Sequence, residues 1–132
     1  MSTSKKFLSV ILIFIISGLC AFLGFSYLND TAEKFYLLDT GGHFITNVKD
    51  TKNLLKSDIA IKMSDKNQHR TFEANNFQVR DAIIGVLRSK SYDELKNPGV
   101  QETLKDEIKN RLCEVLPGDS IVDTYFREFV IQ

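Results

Sequence analysis

The chain has 132 residues, with 17 basic and 17 acidic side chains and a formal net charge of zero. That length leaves room for one small folded domain once any membrane segment is set aside. The charge is balanced and no basic stripe stands out, so a nucleic-acid partner has no electrostatic support and none is expected.

Taken in chain order, the first element is the uncharged, proline-free run Phe7–Leu28. A bilayer-spanning helix needs ~20 apolar residues at ~1.5 Å rise each, and this run is long enough. Lys5 and Lys6 precede it; Asp30, Glu33 and Lys34 follow. Basic residues stay on the cytoplasmic side, so residues 1–6 are expected inside as a short tail and residues 29–132 outside. Two rivals are weighed. A cleaved signal peptide would have a shorter apolar core, ~7–15 residues, ending at a small-x-small site. Gly24-Phe25-Ser26 would have to serve. A lipoprotein would use Cys20, but the bulky Leu19 precedes it. The uncleaved anchor in the lipid is preferred. Ser17, Cys20, Ala21 and Gly24 fall on one face of this helix, where small residues let a second helix approach closely. Small residues are also simply common in membrane helices, and both readings stand.

Residues 29–42 read as a connector leading to a domain over 43–132. Within it Phe35–Leu38 has the look of a short strand, and Asp39-Thr40-Gly41-Gly42 of a turn. His43–Val48 alternates as a strand with Phe44, Thr46 and Val48 on one face. Lys49–Asn53 is turn-like. Leu55–Ser64 is the clearest strand, with Leu55, Ser57, Ile59, Ile61 and Met63 facing one way and a polar set the other. Asp65–Arg70 reads as a charged loop. Asn75 and Gln78 resemble a capping box opening a helix to about Lys90. Its core stripe is Val79, Ala82, Ile83, Val86 and Leu87. After the Asn97-Pro98-Gly99 break, a second helix spans Val100–Leu116, burying Val100, Leu104, Ile108, Leu112 and Val115. Pro117-Gly118 ends it.

The final strand, Ser120–Gln132, is apolar on both sides under strict alternation. Val122, Thr124, Phe126, Glu128 and Val130 share one face; Ile121, Asp123, Tyr125, Arg127, Phe129 and Ile131 share the other. Two helices can cover only one face. The other needs cover from the rest of the domain, as in a strand buried on both faces, or from a neighbouring subunit. Because the outer side of Leu55–Ser64 is polar, the subunit is preferred, with Ile121, Tyr125, Phe129 and Ile131 as the candidate self-association face. The expected fold is α+β, with two helices on one side of a small sheet.

Convergent chemistry is missing. His43 and His69 lack partners at metal-ligand spacing and read as solvated. Cys20 and Cys113 cannot meet in one monomer, so no disulfide framework is expected; Cys113 reads as a small filler. No phosphate-cradling glycine loop or nucleophile elbow appears. The sequence predicts a non-enzyme without catalytic, cofactor-binding or metal residues.

Four stretches carry a resemblance: Phe44-Ile45-Thr46-Asn47, Val79-Arg80-Asp81-Ala82-Ile83-Ile84, Leu104-Lys105-Asp106-Glu107-Ile108 and the ending Tyr125-Phe126-Arg127-Glu128-Phe129-Val130-Ile131-Gln132. Together they resemble FliL, the flagellar basal body-associated family. Asn47, Arg80, Asp81, Phe126, Glu128, Phe129 and Gln132 carry the match, while Arg127 stands where a threonine is usual. The resemblance implies a bacterial cytoplasmic-membrane protein at the flagellar basal body. Its extracytoplasmic domain would be similar to the SPFH (stomatin/prohibitin-like) domain. It would form a homo-oligomeric ring around the stator units, MotA/MotB, and support rotation, swimming or swarming. The alternative is an anchored extracytoplasmic sensor domain, which would need polar groups converging in a concave apolar site.

Overall fold

The computed structural model describes residues 2–29 and 33–132. Met1 and residues 30–32, including Asp30 and part of the expected connector, lie outside the described residues. The chain divides into a lone helix and a folded unit, Phe35–Gln132.

The lone helix, α1, is Ser2–Asn29. Its stretch Lys5–Ser26 has a mean hydropathy of 2.6 and is long and apolar enough to cross a membrane. Ser17, Cys20, Ala21 and Gly24 are exposed on it, and no neighbouring atom crowds Gly18 or Gly24.

The folded unit runs β1 (Tyr36–Asp39), β2 (Phe44–Asn47), β3 (Leu54–Met63), α2 (Lys66–Ala74), α3 (Asn76–Arg88), α4 (Tyr92–Leu95), α5 (Val100–Val115) and β4 (Ile121–Ile131). It is α+β, as the alternation of apolar periods predicts. Every strand pairing is antiparallel, and β3 is the centre. β1 and β2 line one flank of β3 end to end, with Tyr36 opposite Met63 and Asn47 opposite Leu54. β4 follows the other flank along its length. β1 lies within the stretch assigned above to the connector, and its Leu38 is buried in the core.

Strict alternation holds in β3: Leu55, Ser57, Ile59, Ile61 and Met63 are all buried on the inner face. It fails in β4. Asp58 faces Glu128 but Ile59 faces Phe126, and Lys62 faces Asp123 but Met63 faces Ile121. Arg127 and Val122 are thus the extra residues of two bulges, and each shifts the side-chain phase by one. The expected self-association face is divided by this. Ile121, Phe129 and Ile131 pack on the core together with Thr124 and Phe126, while Tyr125 lies on the outer face. Phe126 and Phe129, assigned above to opposite faces, meet edge to face at 5.3 Å.

The open flank of β4 carries one further local feature. Leu54 and Gln132 exchange both backbone bonds, at 2.7 and 2.8 Å. Counting along β3 from there, Ile61 opposite Thr124 falls on a non-bonded rung. The Thr124 N–H therefore points away from β3. The Asp123 carboxylate accepts it at 2.7 Å.

The helices cover the inner face. α3 buries Val79, Ala82, Ile83 and Leu87, and α5 buries Val100, Leu104, Ile108 and Leu112. Val86 and Val115 are half-buried. The charged loop expected at Asp65–Arg70 is instead the start of α2, whose Asp65 cap accepts the Gln68 N–H at 2.7 Å. α2 fixes itself to the unit through Phe72, buried in the core, and through Gln68, which accepts the Ser120 N–H at 3.1 Å. The expected Asn75–Gln78 box does not form. Asn75 turns back to donate to the Thr71 carbonyl at 2.8 Å, closing α2. A capping box does form at Ser91–Glu94, opening α4. Those serine bonds hold the Glu94 carboxyl below its ordinary range.

Candidate interaction face

Because β3 alternates, the sheet's outer face is set out in rows. Asn47 and Leu54 form one; Ile45, Lys56 and Val130 the next; then Asp58 and Glu128; Asp39, Ala60 and Tyr125; and Leu37, Lys62 and Asp123. Two ion-pair groups tie these rows across the strands. Arg127 donates to Asp58 at 2.7 Å and to Asp39 at 3.2 Å. Glu128 accepts from Lys56 at 2.9 Å and meets His43 Nε2 at 2.8 Å. The bulge places Arg127 and Glu128 successively on this same face, each able to reach across β3.

Electrostatics follow from these contacts. The Gly41 N–H, then Arg127, lowers the Asp39 carboxyl from its ordinary value. Lys56, then His43, lowers that of Glu128. Asp58 and then Asp39 raise the Arg127 guanidinium. Asp39, Glu128 and Arg127 are thus held charged at neutral pH.

Between and beside the ion pairs stand apolar side chains in water. Ile45 is 65% and Leu37 60% exposed, and Phe35, Leu54, Val122, Tyr125 and Val130 are also exposed. Phe35 lies under the Lys62 ammonium at 3.8 Å. Seven such side chains, each about half exposed, put on the order of 500 Å² of mainly apolar surface on one side, the upper end for a monomer.

Arg80 positions one corner of this face from below. It leaves α3 and donates to the carbonyls of Thr40 at 2.6 Å and Gly41 at 3.0 Å, and more weakly to His43 at 3.3 Å. Its guanidinium stacks 4.3 Å over the Phe44 ring. Gly41 and Gly42 take φ of 84° and 90°, which glycine adopts without strain, so four carbonyls of this turn, that of Gly42 at 3.5 Å included, converge on one side chain. Arg80 therefore orients the turn that carries Asp39 and His43.

The other sequence-predicted residues fall in three places. Phe126 and Phe129 belong to the core, and Gln132 closes the β3–β4 ladder through its backbone. Asn47 and Glu128 lie on the outer face. Asp81 is exposed on α3. His43 and His69, read from sequence as solvated, each have a partner. His69 lies beside Tyr36, the rings tilted at 44° with centroids 5.9 Å apart, and approaches the Leu37 carbonyl at 3.3 Å. Cys113, half-buried, donates to the Gly118 carbonyl at 3.3 Å. A hollow of ≈ 180 Å³ at the α4–α5 junction is lined by Glu94, Asn97, Gly99, Val100 and Thr103. That is smaller than the ~300–1,000 Å³ of ordinary ligand pockets. The ion-pair rows were missed from sequence because it takes the bulge at Arg127 to bring Arg127 and Glu128 to one face.

Comparison with known proteins covers nearly all of this unit. The family described as flagellar basal body-associated protein FliL matches residues 37–132. The flagellar protein FliL of Aquifex aeolicus (strain VF5) is 34% identical over 91 residues, 67% of this chain and 56% of that protein. The flagellar protein FliL of Bacillus subtilis (strain 168) is 29% identical over 87 residues, 66% of this chain and 61% of that protein. The matched stretch thus spans under two thirds of either relative's length.

Proposed function

The chain belongs to the FliL family of flagellar basal body-associated proteins, and from that premise we propose that it anchors in the cytoplasmic membrane and supports flagellar rotation by binding the stator. It does so as a ring of identical copies around MotA/MotB, acting through contact rather than turnover. The family match over 37–132 carries this reading, because it covers almost the entire folded unit. The outer sheet face, rich in exposed apolar side chains, supports a role in binding. Helices confined to one side of the sheet support an SPFH-like fold for the unit. Lys5 and Lys6 before the apolar run support a cytoplasmic N-terminus and an extracytoplasmic domain.

The deciding experiment removes the protein from its host. Swimming speed and the number of fluorescently tagged stator units per motor are measured, then restored with the full chain. Both are expected to fall on removal. Unchanged speed and stator number would overturn the proposal. Orientation is checked with Asn110→Cys, an exposed position on α5, in a chain lacking its own cysteines. It should react with an impermeant maleimide from outside; protection until lysis would reverse the topology.

A further inference from the structure

Among the described residues of the folded unit, eight large apolar side chains are exposed, and seven lie on or beside the outer sheet face. The eighth is Phe77, 91% exposed in the first turn of α3. At ~100° per residue it lies roughly 120° around the helix from the buried Val79–Ile83–Leu87 stripe. It therefore projects from the helical layer into solvent. Asp81 shares this solvent side one turn on.

We propose that Phe77 of one copy docks on the outer sheet face of the next, around Ile45, Leu54 and Val130. This inference rests on the self-association reading above and names its two surfaces. Three observations favour a second copy as the occupant. First, one chain carries both a projecting aromatic on its helical layer and a broad apolar face on its sheet, two different surfaces. Second, the face is nearly neutral: Lys56, Lys62 and Arg127 stand against Asp39, Asp58, Asp123 and Glu128. It has no basic surplus to draw an anionic lipid surface or an acidic peptide. Third, its apolar side chains and the ion pairs between them approach the ~800 Å² per partner of a standard interface.

A two-fold contact of sheet face against sheet face would leave Phe77 in water and press two sets of ion pairs together without solvent. A head-to-tail contact covers both patches at once. Such a contact is heterologous, and it closes into a ring when the rotation between copies allows. Membrane anchoring would raise the effective concentration, so each contact can be weak.

The test uses the full chain in membranes, with Cys20 and Cys113 replaced by serine. Phe77→Cys and Ile45→Cys chains are co-expressed with different tags and treated with a short bis-maleimide. The mixed dimer is expected, and neither variant alone should link. In parallel, Phe77→Glu should lower the oligomer trapped by an amine-reactive crosslinker about tenfold, the loss of roughly one aromatic contact. Its melting temperature should match the parent, since the side chain is almost wholly in solvent. Linking of Ile45→Cys to itself, with no mixed dimer, would overturn the head-to-tail contact in favour of a two-fold one. Abundant amine-linked oligomer with no Phe77–Ile45 linkage and no effect of Phe77→Glu would overturn this inference alone. Absence of any amine-linked oligomer in the parent would overturn the ring reading, and this inference with it.

Discussion

Replacing Arg80 by alanine tests whether one side chain from α3 holds the β1–β2 turn in place. Its closest bonds are those to Thr40 O at 2.6 Å and Gly41 O at 3.0 Å. Charge-assisted bonds are worth ~1.5–3 kcal/mol when desolvated; partial exposure here reduces each to ~1 kcal/mol. Stacking over Phe44 adds ~0.5–1 kcal/mol. The total is about 3 kcal/mol. For a unit of this size ~1 kcal/mol moves the melting midpoint by ~4–8 °C. Arg80→Ala in a 33–132 fragment should therefore melt about 12–24 °C lower by circular dichroism. Arg80→Lys keeps the charge but presents one point donor in place of a planar fork, and should recover less than half of the loss. A midpoint for Arg80→Ala within ~2 °C of the parent would refute the clamp. Full recovery by lysine would show that charge alone, not the fork, is responsible.

The two bulges make a second prediction: Phe126→Ala and Phe129→Ala should each cost ~2 kcal/mol, being half-buried, and should couple through their edge-to-face contact. Tyr125→Ala should stay within ~1 kcal/mol; a harmless Phe129→Ala beside a damaging Tyr125→Ala would restore strict alternation in β4. The hydroxyls of Ser57 and Thr124 are buried without a hydrogen-bond partner. Ser57→Ala and Thr124→Val should then raise stability by ~1 kcal/mol each in denaturant titration, whereas a loss would mean that each hydroxyl is bonded. The folded-state carboxyl values of Asp39 and Glu128 lie below their ordinary 3.8 and 4.5. Their contribution is therefore fully present above those ordinary values and is lost as pH falls through the lower folded ones. Asp39→Asn and Glu128→Gln should melt below the parent at neutral pH and converge with it in acid; a constant gap down to the acid limit would contradict this. In the lone helix, Gly24→Leu should weaken lateral association in membranes more than Gly18→Leu, and equal effects would dismiss the Ser17–Cys20–Ala21–Gly24 face.

Most of the layered architecture was legible because it is written in apolar period. β3 alternates cleanly, and α3 and α5 repeat at helical spacing, so their faces follow directly. α2 was not legible: Lys66–Ala74 has a single core side chain, Phe72, and is otherwise polar. Its helix depends on the Asp65 cap and on tertiary attachment through Gln68. The β4 phase was hidden for a different reason. Read at period two, the strand puts Glu128 on one face and Asp123 and Arg127 on the other. With two slips, all three charges leave the core together, while Ile121, Thr124, Phe126, Phe129 and Ile131 enter it. That charge segregation was the available signal for the bulges. The outer face could not be assembled from sequence, because its ion pairs join residues as distant along the chain as Asp39 and Arg127.

The Asp123 carboxylate bound to the Thr124 N–H has a consequence for how crowded copies behave. A sheet whose last strand shows free donors invites another chain to continue it, and side-by-side anchoring in a membrane would favour such templating. Here a donor on that flank is already occupied by its own neighbour, and the two kinks interrupt the regular spacing an incoming strand would need. Growth by backbone pairing is discouraged. Neighbours are left to meet through side chains, which can part again, so an assembly built from this unit can be finite and reversible rather than fibrous.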